Sequence, residues 1–199
     1  MRLPDSAHTE RPWRIHALTP DFRLEDVWAL PTPGGPDDFP RLVQLISSAD
    51  PSTYSSAAVR RLFALRWRIG GLLGWDGPDA AQGSGRAMLR HRLPVDLRDA
   101  PSGPEFDALP FTSLYLLGDE WAAEIVNRTV HGVMHIGWVR DPTGGYRGQM
   151  AVLVKPNGLL GTAYMAAIAP FRHRIVYPPL LREMGRAWRA RAGDPTPAR

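Results

Sequence analysis

Glu124, His131 and His135 are the residues whose types and spacing come nearest to acid–base chemistry. A carboxylate and an imidazole within hydrogen-bond reach make a general acid/base pair, and Glu124 would face a histidine across a hairpin if the two segments are paired strands. On a helix the two histidines would be neighbours and could share a metal. On a strand rising ~3.3 Å per residue they stand roughly 13 Å apart. An ion about 2 Å from each nitrogen cannot span that gap, so no metal is expected. The histidines share a strand face with Thr129, Val133, Gly137 and Val139, opposite Val130, Met134, Ile136 and Trp138. If the even-numbered face is core, they point to solvent; if the odd-numbered face lines a cavity, they are its polar groups. The plainer alternative is surface or satisfied core histidines and a solvated strand glutamate.

The other chemical candidates are thinner. Lys155, the single lysine beside 23 arginines, ends a strand before Pro156-Asn-Gly158. It could meet an anion at the next helix N-terminus, or simply end a solvated strand. His173 sits between Arg172 and Arg174 and is expected to titrate low if buried near them. Asp119-Glu120 reads as turn chemistry. There is no cysteine, which removes disulfides, thiolate nucleophiles and iron–sulfur clusters. Gly83-Ser-Gly85 lacks the third glycine and Lys-Ser/Thr of a phosphate loop and the spacing of a nucleophile elbow. No cofactor is expected.

The elements that must position these groups read as α+β. After residues 1–10, a loose arm, Arg11–Leu18 alternates weakly and Leu24–Leu30 is an extended run. A short helix follows at Asp37–Ile46, with Asp37 or Asp38 as N-cap. Ser55 or Ser56 caps a second helix with a stripe of Val59, Leu62, Phe63, Leu65, Ile69, Leu72 and Leu73. Ala87–Leu93 is a candidate strand. Thr112–Leu117, Glu120–Val126, Val130–Arg140 and Tyr146–Lys155 are strands joined by short turns, an antiparallel meander. A long apolar helical segment closes the chain. In it Leu160, Tyr164, Ala167 or Ile168, Phe171 and Ile175 recur at helical spacing, and Pro170 and Pro178-Pro179 should kink or break it.

Composition fits a single domain: 199 residues, 44% apolar and 22% charged. The pI near 9.9 raises the question of nucleic acid. However, the segment from Phe171 onward carries a net +5 and the rest of the chain −1, so the basicity belongs to the last helix and tail. Arg182, Arg186 and Arg189 at helical spacing suit a solvated face, and no nucleic-acid partner is expected. The first residues lack an apolar h-region, and Gly158–Phe171 falls short of the ~20 residues a membrane span needs. A cytoplasmic protein, not an integral membrane one, is expected.

Val130-His-Gly-Val-Met-His-Ile-Gly-Trp138, Val152-Leu-Val-Lys-Pro-Asn-Gly158, Pro170-Phe-Arg-His173 and Tyr177-Pro-Pro-Leu-Leu181 together resemble a bacterial family of domains of unknown function, number 2867. The region of Trp13, Asp26 and Trp28 and the helix through Leu62-Phe-Ala-Leu-Arg-Trp67 extend the likeness over most of residues 12–190. Such domains are similar to the START and polyketide-cyclase (SRPBCC) superfamily. The resemblance implies a helix-grip fold, in which a curved antiparallel sheet wraps a long C-terminal helix and leaves a cavity between them. Members also occur behind a short-chain-dehydrogenase-like, nucleotide-binding domain. This chain has no Gly-rich dinucleotide fingerprint, so such an oxidoreductase partner would be a separate protein.

The expectation is a single START-like domain over residues 11–192, with a disordered tail at 193–199. It would bind a small apolar ligand between sheet and C-terminal helix, with Trp138, Tyr164, Met165, Phe171 and one of His131 or His135 in contact. One alternative is a cofactor-independent cyclase, isomerase or dehydratase using a His/Glu pair. Another is an interaction module whose arginine-rich helix meets an acidic partner or a membrane surface.

Overall fold

The computed structural model describes residues 1–50, 88–127 and 129–191; the side chains at 160, 164 and 168–171 lie outside that description. In chain order the elements are α1 (Ser6–Thr9), α2 (Ile15–Leu18), β1 (Arg23–Ala29), α3 (Phe39–Ser47), a 3-10 turn (Leu89–Arg92), α4 (Val95–Arg98), β2 (Thr112–Leu116), β3 (Glu120–Val126), β4 (Val130–Arg140) and β5 (Tyr146–Pro156). The C-terminal run is α5 (Gly158–Phe171), a π-helical turn (Arg172–Val176) and α6 (Tyr177–Arg191). The expected helix at 55–74 and the Gly83 loop fall outside the described residues.

The strands form one open antiparallel sheet in the order β1-β5-β4-β3-β2. Its spine is the β4–β5 hairpin, paired from Val130↔Pro156 to Arg140↔Tyr146. Local chemistry sets that register. Asp141 Oδ1 accepts the amides of Thr143 and Gly145, and Gly144 takes φ +92°, so the turn closes in one way. At the other end Asn127 Oδ1 accepts the amides of Thr129 and Val130 and fixes the β3–β4 turn.

Both faces of this sheet are covered, which is unusual for an antiparallel sheet. One face carries Trp121, Ile136, Trp138 and Met150 and packs on α3 and α6 through Phe39, Leu42, Tyr177, Leu181 and Trp188. The other carries Ala122, Val133, Val139, Ala151 and Leu153. It is covered by Trp13 and Ile15 from the N-terminal segment and by Leu89, Leu93 and Leu97. Gly137 makes room for this second layer: a Cβ there would lie 2.7 Å from the Trp13 ring.

Several expectations are corrected here. Residues 1–10 are docked rather than loose: Met1 exchanges backbone hydrogen bonds with Ala29, the Leu3 amide donates to Val27 O, and His8 is buried. The weak alternation at 11–18 resolves into the short helix α2, and 87–93 holds a 3-10 turn instead of a strand. In both places Pro and Arg interrupt the apolar pattern, and packing against the sheet decides the local conformation. Pro178-Pro179 do not break the helix. They follow closely on the π-helical turn inside one continuous helical run from 158 to 191, so the interruption of regular α-helical geometry falls just before them.

The link from sheet to helix follows the Pro-Asn-Gly reading. Gly158 has φ +63°, a conformation glycine adopts without strain. Asn157 ties it down, its amide donating to Thr129 O and its side chain to Asn127 O. Gly161 then passes so close to the β3–β4 turn that a Cβ would lie 2.1 Å from Thr129 O.

Candidate functional site

A cavity of about 550 Å³ lies between the sheet and the C-terminal helices. The strands build one wall because period-2 alternation puts Ile125, Val130, Met134, Met150, Val152 and Val154 on the same face. Leu45 and Ile46 of α3 close one side. The helical wall is Met165, Val176, Tyr177, Leu180, Met184 and Ala187. Four methionines from strands and helices (Met134, Met150, Met165, Met184) suit an adaptable apolar surface. Polar lining is sparse: Ser48, Asp50, Asn127, Arg172, Glu183 and Arg191. A second hollow of about 590 Å³ runs along the opposite side of α6, between Met1, Pro31 and Arg182, Arg186 and Arg189.

One end of the cavity is polar by construction. A bulge between Leu24 and Asp26 in β1 turns Asp26 onto the cavity face, paired with Val152, while Leu24 packs on the other face. Asp26 is fully buried. Its carboxylate meets Arg172 at 3.1 Å and His173 Nε2 at 2.5 Å, both carried by the π-helical turn. Arg172 also reaches Glu25 at 3.3 Å. Tyr177 packs against Trp28 in a tilted arrangement, with ring centroids 4.8 Å apart. Burial, and then the Asp26 charge, push its phenol well above the ordinary tyrosine range, so at neutral pH it is a neutral donor.

The acid–base candidates lie on the other face. Glu124 and His131 do pair, with Nε2 2.7 Å from Oε2, both side chains buried. Glu124 also accepts the amides of Leu89 and Arg90 and thereby anchors the 3-10 turn. Burial pushes its carboxyl up, but the bonds from His131, Arg90 and Leu89 outweigh it and hold it below the usual range. Phe22 covers His131 edge-on at 4.9 Å. The histidines therefore neither point to solvent nor line the cavity described above. They are interior groups of a second packed layer.

His135 belongs to a longer chain of contacts. Its Nε2 is 3.0 Å from Glu120, its Nδ1 is 3.3 Å from His8 Nε2, and His8 Nδ1 is 3.2 Å from His16. Glu120 accepts the Arg14 amide through both oxygens. Burial lowers His8 and His135 to about 3, so both are neutral at pH 7. Burial likewise raises Glu120. Glu120 is thus a buried acceptor, not turn chemistry. Among the described residues no group of three or more His, Cys, Asp or Glu side chains could hold a metal ion.

Of the expected ligand contacts, Met165 lines the cavity. Trp138 is instead in the core beside Phe39, Tyr146 and Trp188, with its indole N–H on Gly35 O. Tyr164 and Phe171 lie on α5, but their side chains are outside the described set. Lys155 pairs with Asp21. Asp26 was missed because strict alternation from Leu24 misplaces it. Its signal was a carboxylate directly before the apolar pair Val27-Trp28 in an extended run. His8 gave no signal at all.

Among the described residues no helix is long and apolar enough to cross a membrane. Comparison with curated proteins and with solved structures finds no match. A family model described as a protein of unknown function (DUF2867) matches residues 18–179, which span the sheet and the π-helical turn; the chain belongs to this family.

Proposed function

We propose that the protein is a helix-grip, START-like domain that holds a small, largely apolar molecule between its sheet and its C-terminal helices. The observation carrying this reading is the cavity itself. Its volume, about 550 Å³, falls within the 300–1,000 Å³ typical of small-molecule sites, and its lining is mostly apolar with a few grouped polar side chains. A core normally closes such a space to native density, and an apolar hollow of this size suits a small-molecule occupant. The Glu124–His131 pair and the His8–His135–Glu120 chain belong to the architecture of the opposite face, and binding does not call on them.

The test is titration of the native protein with N-phenyl-1-naphthylamine, whose fluorescence rises in apolar surroundings. The reading expects saturable uptake at one molecule per chain, insensitive to salt because apolar burial drives it. Uptake that never saturates, or that appears only when the protein is partly denatured, overturns it. An interaction module using the arginine face of α6 predicts the reverse salt behaviour, with association that weakens steeply as salt rises.

A further inference from the structure

The polar end of the cavity carries one buried donor without a partner among the described residues, and a phenol beside it. Arg172 Nε is buried without a partner, although the same guanidinium contacts Asp26 and Glu25 through its NH2 group. Tyr177 contributes a phenol that donates to no described side chain or carbonyl, and it lines the same cavity. A buried donor without an acceptor is costly, and native structures normally supply the missing partner. Here an acceptor on the ligand would meet both.

Charge then narrows the kind of acceptor. The single positive charge of Arg172 is already met by two carboxylates, Asp26 at 3.1 Å and Glu25 at 3.3 Å. His173, on the same turn as Arg172, donates its Nε2–H to the Asp26 carboxylate. Farther along the cavity, Glu183 is already paired with Arg186 at 2.6 Å. A ligand carboxylate would enter a site whose nearest cation is already met by two carboxylates. A neutral oxygen acceptor meets no such repulsion.

We propose that Arg172 and Tyr177 form an acceptor-binding end of the cavity, and that its ligand is a small apolar molecule bearing a neutral carbonyl oxygen, as in a ketone, ester or amide. Asp26 and Glu25 are positioning residues: they hold the guanidinium and cancel its charge. This inference rests on the cavity being the ligand site.

The experiment compares three molecules of nearly equal shape, 2-acetylnaphthalene, 2-naphthoate and 2-ethylnaphthalene, each displacing N-phenyl-1-naphthylamine from the full chain at pH 7.5. The ketone should bind about tenfold more tightly than the ethyl compound, which corresponds to about 1.4 kcal/mol, and the carboxylate should bind no better than the hydrocarbon. Tyr177→Phe removes one oxygen and keeps the ring on Trp28. It should weaken the ketone about fivefold or more and leave 2-ethylnaphthalene unchanged. Equal binding of ketone and hydrocarbon, tightest binding of the carboxylate, or an unchanged ketone affinity in Tyr177→Phe overturns the inference while leaving the cavity reading intact. If none of the three displaces the probe, the cavity reading falls and takes this one with it.

Discussion

Mild acid should destabilise this protein, and the size of the effect follows from two histidines. His8 and His135 are held to about 3 by burial, whereas in the unfolded chain each titrates near 6.5. Below pH 6.5 the unfolded state takes up protons that the folded state refuses, so stability is lost as pH falls. Between pH 7.5 and 5.5 that linkage amounts to about 1.4 kcal/mol for each histidine and about 3 kcal/mol for the two. Against a total of roughly 5–15 kcal/mol for a domain, this is a large fraction. Glu120 acts in the opposite sense, because burial raises its pKa and the folded state therefore gains from its protonation as pH falls. A variant separates the two contributions. Urea unfolding should show a midpoint about 1–2 M lower at pH 5.5 than at pH 7.5, for a slope of about 2 kcal/mol per molar urea. His8→Gln, which cannot become charged, should lose only about half as much over the same interval. A midpoint that stays flat between these pH values, or a His8→Gln protein with the full acid loss, refutes the argument.

Two further substitutions probe how the site is positioned. Gly161→Ala places a Cβ 2.1 Å from Thr129 O and should destabilise by about 1–3 kcal/mol despite alanine's helix preference, whereas Gly118→Ala, with nothing within 4 Å, should be nearly silent; thermal melts of both decide it. Glu124→Ala leaves the buried amides of Leu89 and Arg90 without their acceptor and should cost about 3 kcal/mol. Amide hydrogen exchange should speed up first at residues 89–98. Because the Glu124 carboxyl is held low in the folded protein, its contribution is present above its unfolded value near 4.5 and fades as pH falls below it.

Much of the sheet was legible because its strands are long, alternate regularly and end at strong turn signals. Glu120–Val126 and Val130–Arg140 emerge with the bounds read from sequence, and Tyr146–Lys155 extends by one residue. What sequence could not resolve was which face of β4 has which neighbour. The choice between solvent and cavity for His131 and His135 assumed a sheet with one covered face. Residues 8–18 and 88–98 cover the second face instead, and neither segment carries a period long enough to announce that role. The bulge in β1 hid Asp26 for a related reason, since a single extra residue exchanges the faces of a strand. At Pro178-Pro179 the helical run continues without a break, and the irregularity expected there takes the form of the π-helical turn just before them.

The central claim, that the space beneath α5 and α6 is a binding site, is tested most directly by filling it. Ala187 and Met184 both line the cavity from α6. N-phenyl-1-naphthylamine titrations of Ala187→Phe and Met184→Trp, alongside the native protein, should show at least a tenfold loss of affinity, with melting temperatures equal to or above the native value as the void fills. Folded variants of both kinds that bind the probe as tightly as the native chain would contradict the account.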